Sequence, residues 1–432
     1  MNAPVAGAAL QGAGKVVLPQ DRRYPLLRST YTSVSSPSCV VLATGVDDIR
    51  DALRAADDHG LALAVRSGGH SLSGSSSNDG GLVVDLSQMS AVRVVDRGRR
   101  LVRVQPGARW GAVAEALRPH RLAISSGNFG NVGVGGLATG GGIGWLVRSA
   151  GLTIDHIREV RLVLADGSPV TANATQHPDL FWAVRGAASQ VGIVVDFLFE
   201  AVDLPGVGIA RFEVGLAKSR RPLVQWDFLV RHAPRELTLE LQMQGQTGAV
   251  TAVWAGTDLE AAAAALAPFT GIGPVRGSAR FRTVPYAALV PRSHEHPNVG
   301  QQRAVTHNGM VDTVTNEVES TVLDAAAGGV FMQFRSLGGA ISDIPADATS
   351  YANRHQSELI IGTVFHPGDE PHLDRVWNRL RPAFTGAYFN FETRPTATTS
   401  RLAFPPDTWR RLHQLRQRYD PQSVLSSMAP RL

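Results

Sequence analysis

The chain has 432 residues, of which 44% are hydrophobic and 18% charged, and its 42 basic and 37 acidic residues leave a formal net charge of +5. This composition excludes an intrinsically disordered chain, and the length is typical of two or three domains. The basic residues are dispersed between long neutral segments, which argues against a nucleic-acid-binding protein.

Three further features narrow the class of protein. No apolar run approaches the roughly 18 residues that a membrane-spanning helix needs, so we expect no membrane association. Met1 to Gly14 has no basic residue before its apolar stretch, unlike a secretory signal peptide. Cys39 is the single cysteine, which excludes an internal disulfide framework and a thiolate zinc cluster. We therefore expect a cytoplasmic protein.

Hydrophobic periodicity and turn residues predict a mixed α/β region up to about residue 205. Its predicted strands are 38–43, 61–65, 82–86, 92–95, 101–105, 160–164, 170–172 and 191–202. Its predicted helices are 46–59, 110–117 and 179–186. The sequence Leu204-Pro205-Gly206 is the best candidate for a domain boundary.

The pattern of strands and helices restarts after this boundary. The predicted strands are 237–243, 250–255, 330–335 and 358–365, and the predicted helices are 221–232, 258–266 and 371–380. The tail holds one predicted helix, 407–419, and is too short to form a domain alone. We therefore predict an α+β fold in three parts, 1–205, 206–385 and 386–432.

The most informative stretch is glycine-rich, with seven glycines among the twelve residues from Gly133 to Gly144. Glycine permits positive φ and lets an anion approach the main-chain N–H groups, so the stretch predicts a pyrophosphate site. A tight crossing of two backbones and a flexible loop are the structural alternatives.

A nicotinamide site is a second alternative, because Gly133-x-Gly135-x-x-Ala138 fits a dinucleotide pattern and Asp155 follows at a suitable spacing. That pattern requires a strand directly before the first glycine, whereas a polar loop, 125–131, stands here. No lysine follows the glycines, so a P-loop is excluded.

The second stretch, Arg66-Ser67-Gly68-Gly69-His70-Ser71, directly follows a predicted strand. Its glycines would let main-chain amides and an imidazole face one ligand, and histidine is a nucleophile near neutral pH. The alternative is a surface histidine in a turn.

Together these stretches resemble the PCMH-type, or vanillyl-alcohol-oxidase-type, FAD-dependent oxidases, in the branch with berberine-bridge-like enzymes and 6-hydroxy-D-nicotine oxidase. The resemblance covers nearly the whole chain. Besides the two glycine stretches, its marks are 81–87, 104–110, 178–186, 388–391 and 418–421. It implies a two-part FAD-binding domain, an α+β substrate domain with an antiparallel sheet, and a C-terminal segment that returns to the FAD domain.

The resemblance also implies FAD bound covalently through His70. The residues it assigns to the cofactor are Arg66, Ser67, Gly68, Gly69, His70, Ser71, Val132, Gly133, Gly135, Gly136, Gly142, Gly192 and Ile193. Doubly attached members carry a second link through a cysteine, and Phe129 stands at that place, so at most one covalent bond is expected. Val132 falls where the family has its oxygen-gating residue, and its small side chain resembles the oxidases.

The implied reaction moves hydride from a carbon bearing OH or NH of a small organic substrate to flavin N5, with O2 as electron acceptor. Specialised metabolism or alkaloid breakdown is the expected setting, and the protein is expected to be a monomer or homodimer. The expected catalytic residues are Tyr388 and Asn390, which match the Tyr-x-Asn element, and His307; Tyr351 and His355 are other titratable candidates.

Three points stay open at the sequence level. His294-x-His296 could mimic a metal pair but lacks a third ligand, so we expect no metal. The sequence after Tyr419-Asp420-Pro421 departs from the family, which leaves room for a flavin-containing protein that catalyses a redox-neutral cyclisation or only binds. An NAD-dependent dehydrogenase is the remaining alternative.

Overall fold

The computed structural model describes residues 15–217, 220–292, 298–300 and 302–425. The first sheet along the chain is small and has four strands. The sheet has the order β1-β2-β4-β3, and β2, β3 and β4 are parallel. Its strands are β1 (Val16–Val17), β2 (Cys39–Leu42), β3 (Leu63–Arg66) and β4 (Leu82–Asp85). Because β2 and β4 are buried along most of their length, they are nearly continuous apolar runs.

A five-stranded antiparallel sheet of order β5-β6-β10-β8-β9 follows. Its strands are β5 (Val92–Asp96), β6 (Leu101–Val104), β8 (Ile157–Val163), β9 (Pro169–Asn173) and β10 (Ile193–Glu200). A short pair is formed by β7 (Leu122–Ala123) and β11 (Val202–Asp203).

The largest sheet has eight antiparallel strands, ordered β15-β12-β14-β13-β18-β19-β17, with β16 also paired to β12. Its strands are β12 (Val207–Gly215), β13 (Leu237–Gln244), β14 (Thr247–Trp254), β15 (Val275–Arg276), β16 (Arg282–Val284), β17 (Val305–Val311), β18 (Phe331–Ser336) and β19 (Glu358–Val364). One face packs against helices, whereas Met310, Leu359 and Ile361 on the other face join the core of the first part of the chain.

The helices cover these sheets. They are α1 (Tyr24–Leu27), α2 (Val46–Asp58), α3 (Trp110–Leu117), α4 (Val134–Gly140), α5 (Val147–Ala150), α6 (Pro178–Ala187), α7 (Pro222–His232), α8 (Leu259–Leu266), α9 (Asn316–Ala327), α10 (Glu370–Leu380), α11 (Ala397–Ala403) and α12 (Pro406–Tyr419). None of these described helices is long and apolar enough to cross a bilayer.

The structure contains the predicted mixture of helices and antiparallel sheets. The small sheets end at Asp203 and the large sheet begins at Val207; the assignment of three parts as domains stays a prediction. The sequence patterns missed β12, β17 and α9, and they gave no helix inside the glycine-rich stretch, where α4 lies.

The C-terminal segment packs against the first part of the chain. Arg418 and Tyr419, the last two residues of α12, both contact the Asp179 carboxylate of α6. The Asp420 carboxylate then accepts the main-chain N–H groups of Val424 and Leu425. Leu425 is buried with the core of the small parallel sheet. Of the divergent tail, residues 426–432 lie outside the described part of the chain.

Candidate cofactor site and active site

The two glycine stretches meet with their main chains in contact. A Cβ atom at Gly68 would lie 2.4 Å from the Gly133 nitrogen, and one at Gly133 would lie 2.3 Å from the Ser67 Oγ. No side chain fits at either position without a shift of the neighbouring backbone. We call this contact, formed by residues 67–69 and 133–136, the glycine junction.

Polar side chains hold the glycine junction together. The Ser67 hydroxyl donates to the Pro106 carbonyl at 2.5 Å and accepts the Gly135 N–H at 3.2 Å. The Arg109 guanidinium donates to the Gly68 carbonyl at 2.9 Å. Ser67 is therefore a linker between the two stretches, a role that its place in a Gly-rich motif does not reveal.

Arg66 supports the first stretch from a buried position. Its guanidinium pairs with the Asp85 carboxylate at 2.8 Å, and the two side chains are only 3% and 0% exposed. It also donates to the Asn298 carbonyl, and the Asn298 amide donates to the Gly68 carbonyl. A Cβ at Gly69, where φ is +67°, would lie 2.8 Å from the Arg66 Nη2. The guanidinium thus lies against the loop, and its charge is matched within the protein.

His70 is held between two aromatic rings. The Tyr31 ring stacks on the imidazole with centroids 4.7 Å apart, and the Phe129 ring meets it edge-on at 5.4 Å. Phe129, the residue at the place of a second attachment point, therefore does contact His70. Cys39 lies elsewhere, fully buried in β2, and burial raises the pKa of its thiol to about 11. Ser71 lies beside His70 with its hydroxyl near those of Ser73 and Ser75.

The glycine junction fits the phosphate-bearing part of FAD. Gly136 is exposed, and a Cβ at this position would meet no atom within 4 Å, so its main chain is open to a ligand. Val132 is partly buried against the neighbouring core, and its carbonyl accepts the Trp110 N–H. An open main chain beside a histidine is the arrangement that an anionic, histidine-linked cofactor needs.

Tyr388 and Asn390 reach the same glycine-rich segment from the C-terminal part of the chain. The buried Tyr388 hydroxyl accepts the Gly142 N–H at 3.1 Å and the Asn390 amide N–H at 3.1 Å. The Asn390 amide also lies 3.4 Å from the Gly136 carbonyl. Burial raises the pKa of Tyr388, although the hydrogen bonds from Gly142 and Asn390 oppose this effect. Tyr388 is therefore protonated at neutral pH.

Gly142 and Tyr351 lie beside Tyr388 in the same part of the site. Gly142 has a φ of +87°, and a Cβ there would lie 2.0 Å from the Thr153 Oγ1. Tyr351 is buried with its ring centroid 6.3 Å from that of Tyr388, and burial raises the pKa of its hydroxyl. His355, by contrast, is exposed.

Gly192 and Ile193 lie where β10 meets β8. A Cβ at Gly192 would lie 2.8 Å from the Val163 carbonyl, so the glycine permits close packing of the two strands. Ile193 is buried in the core of the small parallel sheet. Their contact with a cofactor stays a prediction, since the structure gives both a packing role.

His307 lies apart from the glycine junction. Strand alternation in β17 turns it toward α10, on the helix-covered face of the large sheet. Its Nδ1 lies 2.7 Å from the Glu392 carboxylate and its Nε2 lies 3.1 Å from Asp374. Burial tends to lower the pKa of His307, but these two carboxylates outweigh it and raise the pKa. An imidazole engaged at both nitrogens is poorly suited to accept a substrate proton.

The sequence patterns missed a polar patch on the opposite face of the large sheet. Glu240 of β13 lies directly across from Arg335 of β18, and Gln242 lies across from Gln333. The Glu240 carboxylate is 4% exposed and accepts the Asn128 amide N–H at 2.7 Å and the Gln242 amide N–H at 2.5 Å. We call these five residues the polar patch. Alternation of polar residues at 240 and 242 and at 333 and 335 is the signal that could have found it.

The polar patch adjoins both parts of the predicted active site. Asn128 precedes Phe129, whose ring contacts His70. The Arg335 guanidinium lies 4.7 Å from the centroid of the Phe391 ring, and that ring lies 5.2 Å from the Tyr388 ring. The polar patch, His70 and Tyr388 are therefore linked through the Phe129 and Phe391 rings, between the large sheet and the glycine-rich segment.

A surface depression of about 450 Å³ lies at α11 and α12. It is lined by Arg401, Phe404, Pro406, Trp409, Arg410 and His413. None of these residues belongs to the glycine junction or the polar patch, so we do not assign the depression to the active site.

Among the described residues, no group of three His, Cys, Asp or Glu side chains is placed to hold a metal ion. His294 and His296 lie outside the described part of the chain. The expectation that the protein binds no metal stays a prediction.

Comparison with known proteins also indicates an FAD-binding site in the part of the chain that contains the glycine junction. A protein family described as an FAD binding domain matches residues 37–173. (R)-6-hydroxynicotine oxidase of Paenarthrobacter nicotinovorans is 33% identical over 201 residues, which are 46% of this chain and 44% of that protein. Xylooligosaccharide oxidase of Thermothelomyces thermophilus is 40% identical over 184 residues, 42% of this chain and 37% of that protein. The match thus spans less than half the length of these two curated relatives.

The likeness in fold extends over the whole chain. The crystal structure of a carbohydrate oxidase from Microdochium nivale superposes with a TM-score of 0.87 over 99% of both chains, at 24% identity. Residues 37–173 therefore match an FAD-binding domain, and at this level of identity the superposition shows a shared fold alone. The expected α+β fold class and the FAD cofactor are confirmed.

Proposed function

We propose that this protein is an FAD-dependent oxidase that removes hydride from a carbon bearing OH or NH of a small organic substrate. The observation that carries this proposal is the convergence of the two glycine stretches beside His70, with Tyr388 hydrogen-bonded to the same glycine-rich segment. The relatives named as oxidases support it.

When bound, FAD would supply the acceptor for hydride and the route for electrons to O2. His70 would hold it covalently, and the open main chain around Gly136 would bind its phosphates. Arg66 and Ser67 would act indirectly, because Arg66 is paired with Asp85 and Ser67 links the two stretches. The glycine junction would thus support the cofactor.

Two side chains would act on the substrate, one by orienting it and the other by accepting its proton. The Tyr388 hydroxyl accepts two hydrogen bonds, from Gly142 and Asn390, so its own proton is directed to a third partner. We assign it the orientation of the substrate oxygen or nitrogen. Glu240, a buried carboxylate on the adjoining polar patch, is the group we assign to proton acceptance, because each of its oxygens keeps a second lone pair beside the hydrogen bond that it accepts from Asn128 or Gln242.

The polar patch suits a small polar substrate. It combines amides with the Glu240 and Arg335 pair, whose charged atoms are 3.8 Å apart, so its net charge is balanced. Such a surface binds hydroxyl groups by hydrogen bonds without requiring a charged ligand. Relatives named for 6-hydroxynicotine and for oligosaccharides support a substrate that is an alcohol, a lactol or an amine.

Anaerobic mixing tests the proposal. Purified holoenzyme would be mixed without oxygen with a panel of sugars, sugar oligomers and N-heterocyclic amines while flavin absorbance is followed. We expect at least one compound to bleach the flavin, and admission of O2 to restore the colour with one equivalent of H2O2. Turnover without bleaching would favour the redox-neutral alternative, and turnover that needs NAD would favour a dehydrogenase.

Three expectations about the setting of the protein remain proposals. We propose a cytoplasmic location, which fits a chain whose single cysteine, Cys39, can form no internal disulfide. We propose a monomer or homodimer, with no nucleic-acid or membrane partner. We also propose a place in specialised metabolism or alkaloid breakdown, supported by the relative named for 6-hydroxynicotine.

A further inference from the structure

Strand β17 holds the segment that carries Tyr388 and Asn390 with two adjacent side chains. On the face toward the glycine-rich segment, the buried Asn308 amide donates to the Tyr388 carbonyl at 3.0 Å. The Asn308 amide oxygen accepts the Tyr388 N–H at 2.7 Å. Asn308 therefore fixes the main chain of Tyr388 at both polar groups.

On the opposite face of the strand, His307 holds the end of the same segment. Its Nδ1 lies 2.7 Å from the carboxylate of Glu392, which is 1% exposed, and its Nε2 lies 3.1 Å from the half-exposed Asp374 of α10. The imidazole thus joins α10 to the segment only two residues beyond Asn390. The Trp377 ring of α10 flanks it at 5.9 Å.

Only the protonated imidazole satisfies both carboxylates. A neutral histidine has one N–H donor, so one of its nitrogens would face a carboxylate oxygen with a lone pair. The charged groups that face His307 are Glu392 from the segment and Asp374 from α10. Arg394, the nearest cation along the segment, pairs with Glu370, and its main-chain N–H donates to Glu392. The surroundings therefore favour the imidazolium.

We propose that His307 is a positioning residue, whose imidazolium bridges Asp374 and Glu392 and, with Asn308, fixes residues 388–392 so that the Tyr388 hydroxyl meets Gly142 and the substrate. The inference rests on the proposed function, since Tyr388 acts on substrate there. It replaces the expected catalytic role of His307 by an indirect one. Loss of the proton at alkaline pH releases the segment and slows the reductive step.

The pH dependence of flavin reduction is the first test. His307→Gln keeps one donor and one acceptor but cannot carry charge, so we expect an anaerobic reduction rate at least tenfold lower at neutral pH. We also expect the alkaline fall of the rate to disappear, with substrate affinity changed less than the rate. The matched control is His232→Gln, an exposed histidine at the end of α7, which should leave rate and profile unchanged.

A milder variant guards against misfolding. Asp374 is half exposed, so Asp374→Asn should fold normally and shift the alkaline limb to lower pH, because the imidazolium loses one carboxylate. If His307→Gln and Asp374→Asn both keep the wild-type pH profile, the proposal is wrong. In the double variant His307→Gln/Glu392→Gln, the loss of rate should be close to that of His307→Gln alone.

A substrate-free readout separates this inference from the proposed function. Nitrogen-15 NMR of histidine-labelled protein would follow the His307 ring, identified by comparison with Asp374→Asn. We expect it to titrate above pH 6.5, the usual value for histidine. Titration below that value would overturn the bridge even if the oxidase activity is real. Failure of every substrate to reduce the flavin would overturn the proposed function, whereas the NMR result would still decide the bridge.

Discussion

The main chains of Gly68 and Gly133 touch, although the two residues belong to separate motifs. A Cβ at Gly68 would lie 2.4 Å from the Gly133 nitrogen and 2.7 Å from its Cα. The close contact explains why both stretches need glycine at this point. His70 follows two residues beyond Gly68, and its ring contacts Phe129, which precedes the second stretch.

Gly68→Ala should therefore disrupt the cofactor site. The added methyl group would have to push apart two backbones, and we expect a loss of more than about 2 kcal/mol in the free energy of unfolding. Flavin content after purification should fall with it. Gly271→Ala is the control, because a Cβ there meets no atom within 4 Å. Equal flavin content and equal urea midpoints for the two variants would contradict the contact.

The Arg66 and Asp85 pair gives a second prediction. Both side chains are buried, so Asp85→Ala leaves an unpaired guanidinium beneath the first glycine stretch. We expect a cost of about 3–5 kcal/mol in stability, together with weaker flavin retention. The control is Asp203→Ala, which removes a partner of the exposed Arg97 and should change stability by less than about 1 kcal/mol. Chemical denaturation of both variants checks the difference, which should vanish if the pair is unimportant.

Cys39 should be inert in the folded protein. Its thiol is fully buried in β2, and burial raises its pKa to about 11, so little thiolate forms below that pH. A thiol reagent such as DTNB should label no group in the native state and one group per chain in denaturant. Rapid native labelling would place Cys39 at the surface and contradict its burial in β2.

Tyr388→Phe tests the role of the hydroxyl without removing the ring. We expect the anaerobic rate of flavin reduction to fall about 10- to 100-fold, since the hydrogen bond to substrate is lost. Because burial raises the pKa of Tyr388, its ionisation should not add a limb to the wild-type profile near neutral pH. Tyr419→Phe, a tyrosine whose hydroxyl contacts Asp179, is the control and should keep the rate. Equal rates for Tyr388→Phe and the wild type would remove Tyr388 from the reaction.

Protein stability should also depend on the charge of His307. Its pKa is raised in the folded chain, because Glu392 and Asp374 outweigh the effect of burial. The stabilisation is therefore fully present below about pH 6.5, the pKa of an unfolded-chain histidine, and is lost as pH rises through the folded pKa. The difference in unfolding free energy between wild type and His307→Gln should shrink from pH 6 to pH 9. A difference that grows with pH would contradict this sign.

Sequence patterns predicted the fold best where one signal dominated. The helix 110–117 matches Trp110–Leu117, because a regular apolar spacing follows a Pro-Gly turn. Strand β17 was missed because its residues Thr306, His307 and Asn308 are polar, and their burial depends on partners far along the chain. The helix at Val134–Gly140 was missed because glycine disfavours helices, and packing overrides that preference.

The active site was predictable only in part, for a similar reason. The glycine stretches and Tyr388 lie in compact motifs, so their chemistry is visible in the sequence. Glu240 and Arg335 are far apart in the chain, and only the register of β13 with β18 brings them together. The sequence also did not predict which face of the large sheet His307 occupies, because strand alternation decides the face and strand β17 was not predicted.

The most direct test of the whole account is an absorbance spectrum of the purified protein, repeated on pellet and supernatant after acid precipitation. We predict a yellow protein whose flavin stays with the pellet, and a His70→Ala variant whose flavin is released into the supernatant. Flavin released from the wild type would contradict the covalent bond at His70. A colourless protein that takes up no FAD would contradict the proposed oxidase itself.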